Sequence, residues 1–191
     1  IAIIIKAVAD TVKELGASPF IVPAMGSHGG ATAQGQRTII EGFGITEEAM
    51  GCPILASMET EKIGYTEEGH EVQIDKNANG ADGILVVNRV KPHTAFRGPY
   101  ESGLMKMMAI GLGKQAGAQV THKAGFAHMA HMIPLFGKAI IKNAKILAGV
   151  AILENPFDET CKIEAMPAEE IEEREPGLQA LSKSLMPKIL L

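Results

Sequence analysis

The feature that most constrains the fold is the apolar run within residues 81–90, ADGILVVNRV. A continuous run such as ILVV is typical of a strand that is covered on both faces of a sheet. Pro92 follows closely, and because proline restricts the residue before it and cannot donate to a ladder, we expect the strand to end there. Residues 145–153, KILAGVAIL, predict a second buried strand.

The N-terminal residues predict helices and a strand in alternation. Residues 1–15 have a helical period that ends at Gly16, residues 19–24 predict a short buried strand, and residues 33–43 predict another helix. A glycine-rich turn, MGSHGG, joins the strand to the second helix. This alternation predicts an α/β fold: a mostly parallel sheet with helices on both faces, in a Rossmann-like three-layer domain.

The remaining patterns complete a single α/β domain over residues 1–191. One small hairpin is expected around the turn Glu-Glu-Gly at residues 67–69. Helices are predicted at residues 126–143, broken or kinked near Pro134, and at residues 168–186. The last helix carries five glutamates among helix formers, which predict a solvated face: Glu169, Glu170, Glu172, Glu173 and Glu175.

Charge and composition argue against several classes of function. The net charge is −4 and there is no basic tail, so nucleic acid is not an expected partner. No apolar run reaches membrane-spanning length and no signal peptide is visible, so a membrane is not expected either. Cys52 and Cys161 form neither a CxxC pair nor a disulfide framework, which favours a reducing, cytoplasmic compartment.

The first candidate site is the glycine-rich turn at residues 25–30, which holds His28. Small neighbours let backbone N–H groups approach an anion, and the helix that follows adds positive potential at its start. His28 could then act as a general base near neutral pH. The alternative interpretation is an ordinary turn with a surface histidine.

The second candidate site follows the best strand, in the stretch NRVKPHTAFRG. It places Arg89, Lys91, His93 and Arg97 within nine positions, and such a cluster beside a buried strand favours an anionic ligand. The alternative interpretation is a solvated loop.

The third candidate site is ESGLMK at residues 101–106. Ser102 is predicted to cap a helix rich in methionine, and Lys106 in its first turn would have a lowered pKa if it were partly buried. A Lys106 side chain that extends to solvent is the alternative.

His128 and His131 have a spacing that can chelate a metal, but a metal hydrolase would need a third ligand that the sequence does not reveal.

The three segments together, GSHGGATAQGQ, VNRVKPHTAFRG and ESGLMK with a histidine downstream, resemble the nickel-dependent lactate racemase family over about residues 17–125. The resemblance is to that family's N-terminal catalytic domain. It implies a nickel-pincer nucleotide, a pyridinium mononucleotide that binds nickel through two sulfur-bearing substituents and a ring carbon. In that family a lysine is joined covalently to the cofactor, and two histidines serve as acid and base on the substrate.

The resemblance also assigns roles to residues of this chain. Lys106 matches the cofactor-linked lysine, His122 the nickel ligand, and His28 and His93 the acid/base pair. Residues 102–103 match the turn around the cofactor's phosphate end; these are Ser102 and Gly103.

The function implied by the resemblance is that of an isomerase, a racemase or epimerase of a lactate-like 2-hydroxy acid. Because the chain begins at Ile1 inside a helical pattern, we expect part of a longer protein whose C-terminal domain is absent, and no activity from this part alone. The expected partners are the 2-hydroxy acid, the missing domain and the cofactor maturation enzymes, without which the protein would be apo. The alternative is a binding module without nickel, for an anionic nucleotide or carboxylate.

Overall fold

A computed structural model describes residues 1–123 and 125–187, apart from the side chains of His122 and Phe126. The chain is α/β, with helices, a hairpin and a three-stranded sheet, and this class is confirmed. Within those residues no helix is long and apolar enough to cross a membrane.

The N-terminal unit is built from three helices: α1 (Ala2–Glu14), α2 (Ala33–Gly42) and α3 (Glu47–Met50). Their apolar faces enclose a small core of six buried side chains: Ala9, Ile40, Ile45, Met50, Cys52 and Ile54. A single turn of 3-10 helix, Gly29–Ala31, precedes α2. This unit therefore carries the glycine-rich turn at the start of α2, as the sequence predicts.

The strand predicted at residues 19–24 is only an isolated parallel bridge between Ile21 and Ile54. The Ile21 N–H donates to the Pro53 carbonyl at 2.9 Å, and the Leu55 N–H donates to the Ile21 carbonyl at 2.8 Å. Pro19 and Pro23 flank this bridge, and neither has an N–H to donate. Their spacing explains why the ladder does not extend.

The predicted hairpin is confirmed as β1 (Thr60–Tyr65) and β2 (Glu71–Asp75), which pair antiparallel. Asp75 ends β2 and accepts the Ala78 N–H at 2.9 Å, so it caps the short helix α4 (Lys76–Asn79). The side chains of Val72 and Ile74 are fully buried in the main core.

The sheet consists of β3 (Ile84–Arg89), β4 (Ile146–Glu154) and β5 (Thr160–Pro167), in the order β3-β4-β5. β3 and β4 are parallel, as their continuous apolar runs suggest, whereas β5 returns antiparallel beside β4. The sheet is therefore mixed. One face packs on helices, and on the other Leu85 and Ile163 are 37% and 52% exposed.

Four helices complete the chain: α5 (Leu104–Lys106), α6 (Lys114–Lys123), α7 (Met129–Asn143) and α8 (Ile171–Ser184). Wide π-type turns, Met107–Leu112, continue α5. Single 3-10 turns precede α7 and α8, at Phe126–His128 and Ala168–Glu170. α7 continues through Pro134, where a break or kink is expected from the sequence. Helix α5 lies between the sheet and α7 and α8, which brings the loop before it to the centre of the fold.

Candidate functional site

The backbone of the glycine-rich turn is shaped by glycines in the left-handed region. Gly26 and Gly29 have φ of 59° and 67°. At Gly29 there is no room for a side chain, because an added Cβ would lie 2.5 Å from the backbone carbon of Gly35. The buried Gln36 side chain donates Nε2 to the carbonyls of Gly26 and His28, at 2.9 and 3.3 Å. The Gln36 side chain therefore holds the backbone of the glycine-rich turn in this conformation.

A buried ion pair supports Gln36. Lys114 is fully buried, and its Nζ lies 3.2 Å from Asp75 Oδ2 and 3.2 Å from Gln36 Oε1, with a further bond to the Pro23 carbonyl. Burial lowers the pKa of Lys114, and the Asp75 carboxylate opposes this shift. The turn that holds His28 is thus tied through Gln36 to strand β2.

The imidazole of His28 is exposed, and its Nδ1 lies 2.7 Å from the Met25 carbonyl. A carbonyl oxygen only accepts hydrogen bonds, so Nδ1 must carry the proton. In the neutral ring Nε2 then has the lone pair, which is the state of a general base.

The glycine-rich turn lies against the segment that carries Lys106. The Gly26 N–H donates to the Gly111 carbonyl at 3.2 Å. A Cβ at Gly111 would lie 2.5 Å from the Ala24 carbonyl oxygen, so only glycine permits this approach. The glycine-rich turn is therefore packed on the π-type turns that follow Lys106.

His93 is half-buried, and its ring lies 4.5 Å from the Phe96 ring, centroid to centroid. Its Nδ1 accepts the Ala95 N–H at 3.1 Å, so in the neutral ring the proton is on Nε2. This is the opposite tautomer to that of His28. Burial lowers the pKa of His93, and the charge of Lys106 lowers it further.

Lys106 is half-buried, with Nζ 5.7 Å from the centre of the Phe96 ring. Burial lowers the pKa of its amine, and the nearby Lys91 lowers it further. His93 and Lys106 thus share one aromatic neighbour, and the charge of Lys106 acts on the pKa of His93. The sequence expectation of a partly desolvated Lys106 agrees with this environment.

The prediction that Ser102 caps α5 is wrong. The cap position is Gly103, and the acceptor comes from α8, where Glu175 Oε2 accepts the Met105 N–H at 2.8 Å. Gly103 packs directly on this carboxylate. There is no room for a side chain at this position, since an added Cβ would lie 2.1 Å from Glu175 Oε1. Burial raises the pKa of Glu175 to about 7. A phosphate at the turn of residues 102–103 would therefore face a buried carboxyl group.

The side chain of His122 lies outside the described part of the chain, so its role as nickel ligand stays a prediction. Its backbone belongs to α6. Among the described side chains no group of three or more His, Cys, Asp or Glu is arranged to hold a metal ion.

Two further histidines, His70 and His131, lie beside Glu68. His131 Nε2 lies 2.6 Å from Glu68 Oε1, and His70 Nε2 lies 3.9 Å from Glu68 Oε2. His128 lines the same open cavity. As these described side chains stand they do not converge on a metal position, so a metal hydrolase gains no support from them.

Among the buried polar side chains that the sequence interpretation missed are two glutamates and one amide next to the start of α5. Glu101 and Glu175 are fully buried, and Gln179 is 1% exposed. The prediction of a solvated face is wrong for Glu175, although Glu172 and Glu173 are exposed as expected. The sequence signal that could have predicted the burial of Glu175 and Gln179 is their spacing, since they lie one helical turn apart on the same face as Leu178.

The comparisons with known proteins agree with this fold. The sequence matches the family described as Domain of unknown function (DUF362) over residues 2–169. No curated protein matches the sequence. Among solved structures, the lactate racemase apoprotein from Thermoanaerobacterium thermosaccharolyticum is similar, with a TM-score of 0.63 and 16% identity. The similarity covers 83% of this chain and 40% of that chain. The fold is lactate racemase-like, and this chain spans less than half of that protein's length.

Proposed function

The chain belongs to the DUF362 family, and we propose that it carries the catalytic residues of a racemase or epimerase of a 2-hydroxy acid. The observation that supports this proposal is that His93 and Lys106 both lie beside the Phe96 ring. The glycine-rich turn that holds His28 packs on the π-type turns that follow Lys106. A cytoplasmic location, a further domain and cofactor maturation enzymes as partners are parts of the same proposal.

The surroundings of Lys106 fit the attachment of a nickel-pincer nucleotide. A lowered pKa increases the fraction of neutral amine, which is the form that makes a covalent bond. The Phe96 ring offers a flat apolar face beside the amine. Ser102 and Gly103 fit less well, because the Glu175 carboxyl group occupies the helix start that a phosphate would use. His122 would supply the nickel ligand.

When bound, the cofactor would supply the centre that accepts a hydride from the substrate carbon and returns it. The two histidines move the proton of the hydroxyl group. The hydrogen bonds assign the proton of the neutral His28 ring to Nδ1, which leaves a lone pair on Nε2, and the proton of the neutral His93 ring to Nε2. His28 can therefore accept the hydroxyl proton in one direction, His93 in its protonated imidazolium form would donate a proton to the keto oxygen, and the roles reverse for the other enantiomer.

The charge of the His93 loop suits a carboxylate substrate. Lys91 and Arg97 are exposed, and both influence the pKa of His93. A 2-hydroxy acid bound beside them would place its carboxylate among cations. The same cations favour the second candidate function, a module that binds an anionic nucleotide or carboxylate without nickel.

Turnover in single variants tests the proposal. The holoprotein, produced with the cofactor maturation enzymes, is assayed from each enantiomer of lactate and other 2-hydroxy acids. His28→Ala and His93→Ala should each lose turnover in both directions by at least ~100-fold and keep their nickel. His131→Ala is the matched control and should retain activity. Full activity in either test variant would contradict the proposal, and a folded wild-type protein with neither nickel nor turnover would favour the binding module.

A further inference from the structure

The carboxylate of Glu101 closes the loop that carries His93. Its Oε2 accepts the His93 N–H at 2.9 Å, and its Oε1 accepts the Gly98 N–H at 3.0 Å. One fully buried side chain therefore binds both ends of the six-residue stretch 93–98. Backbone N–H bonds to a charged acceptor are short and strong, so they restrict the positions that the loop can take.

Two cations lie beside the Glu101 carboxylate. Lys183 Nζ lies 2.7 Å from Oε1, and Arg97 Nη1 lies 3.9 Å from Oε2. Burial alone would raise the pKa of Glu101, but the bond from Lys183 and the two backbone N–H groups hold it below its usual value. The acceptor is thus charged throughout the neutral pH range.

The backbone of Glu101 is itself fixed by α8. Gln179 Oε1 accepts the N–H groups of Glu101 and Ser102, at 3.2 and 3.3 Å. Lys183 belongs to the same helix and pairs with the carboxylate. Helix α8 therefore holds the loop of His93 through the backbone and the side chain of Glu101.

We infer that Glu101 is a positioning residue that fixes His93 against Lys106 by binding the two ends of the His93 loop. The catalytic meaning of this position rests on the proposed function. The contacts themselves are independent of any cofactor. Glu101 acts through the backbone and also places a negative charge near the imidazole, which partly offsets the effect of Lys106 on it.

Glu101→Gln tests the inference in the protein without cofactor. The amide has only one acceptor oxygen, so the N–H of His93 or of Gly98 loses its partner. Its hydrogen exchange, followed by NMR, should accelerate by about tenfold or more. Loss of the negative charge should also lower the titration midpoint of the His93 imidazole by roughly half a pH unit.

Two further variants make the test decisive. Glu164→Gln removes an ion-paired glutamate elsewhere and should change neither readout. Lys183→Gln keeps the Glu101 carboxylate, so both N–H groups should stay protected. Loss of protection in this variant would overturn the inference, and this readout remains available if Glu101→Gln does not fold. Unchanged exchange and an unchanged His93 midpoint in folded Glu101→Gln would overturn the inference.

The holoprotein separates the two hypotheses. Glu101→Gln should load cofactor on Lys106 as the wild-type protein does but show a lower kcat with a similar KM. A wild-type protein without cofactor would contradict the proposed function while leaving the NMR result intact. A normal kcat in Glu101→Gln would overturn the positioning role instead.

Discussion

The carboxyl group of Glu175 should make the protein less stable as the pH rises toward neutrality. Burial raises its pKa from 4.5 to about 7, although the N–H groups of Met105 and Leu104 act in the opposite direction. Between these two values the folded protein keeps a proton that the unfolded chain has released. The folded state then binds more protons, so the free energy of unfolding falls with rising pH.

The linkage relation gives the size of this effect. Between pH 5 and pH 8, a shift from 4.5 to about 7 removes about 2.5 kcal/mol from the free energy of unfolding. Glu175→Gln abolishes the titration and keeps an oxygen for the Met105 N–H. Its amide nitrogen beside Gly103 adds a cost of about 1–3 kcal/mol. This cost is the same at both pH values and cancels in the comparison.

Urea unfolding at pH 5 and pH 8, followed by circular dichroism, measures the difference. The wild-type protein should lose about 2.5 kcal/mol more than Glu175→Gln over this interval. Glu173→Gln, an exposed neighbour on the same helix, should behave as the wild type does. Parallel pH profiles for the wild type and Glu175→Gln would refute the reasoning that this buried carboxyl group is protonated near pH 6.

Three other substitutions test how the turn of His28 is supported. Lys114→Met leaves Asp75 buried without its cation and should lower the free energy of unfolding by about 3–5 kcal/mol in urea; a loss below about 1 kcal/mol would contradict the buried pair. Gly29→Ala and Gly30→Ala both place a side chain at positive φ, which costs about 1–2 kcal/mol. Only Gly29→Ala also meets the backbone of residue 35, so it should be clearly less stable in the same assay, and equal losses would show that the contact yields easily.

The parts of the fold that follow from local patterns were predictable. The continuous apolar runs of β3 and β4 are typical of strands inside a sheet. The hairpin was predictable because a turn sequence lies between two strand patterns. The direction of β5 was not predictable, because its residues are exposed along most of their length and carry little apolar signal. Residues 19–24 form only an isolated bridge, although their apolar run predicted a strand, because the two prolines beside Ile21 have no N–H to donate.

The site was predictable where chemistry coincides with the end of a strand or the start of a helix. His93 lies four residues after the end of β3, and Lys106 lies in the first turn of the helix that begins with α5. The hydrogen bonds from α8 that hold the site were not predictable, because Gln179 lies 78 residues from Glu101 in sequence. A buried glutamate also looks like a solvated one until its partner is known, as Glu175 shows beside the exposed Glu172 and Glu173.

The most direct test of the account is the mass of the protein, with its nickel content, after co-expression with the cofactor maturation enzymes. The account predicts a covalent adduct on the tryptic peptide that contains Lys106 and close to one nickel per chain. Lys106→Ala should fold without an adduct, whereas Lys138→Ala, which removes an exposed lysine paired with Glu172, should load normally. A well-folded wild-type protein without adduct or nickel, or an adduct on another lysine, would contradict it.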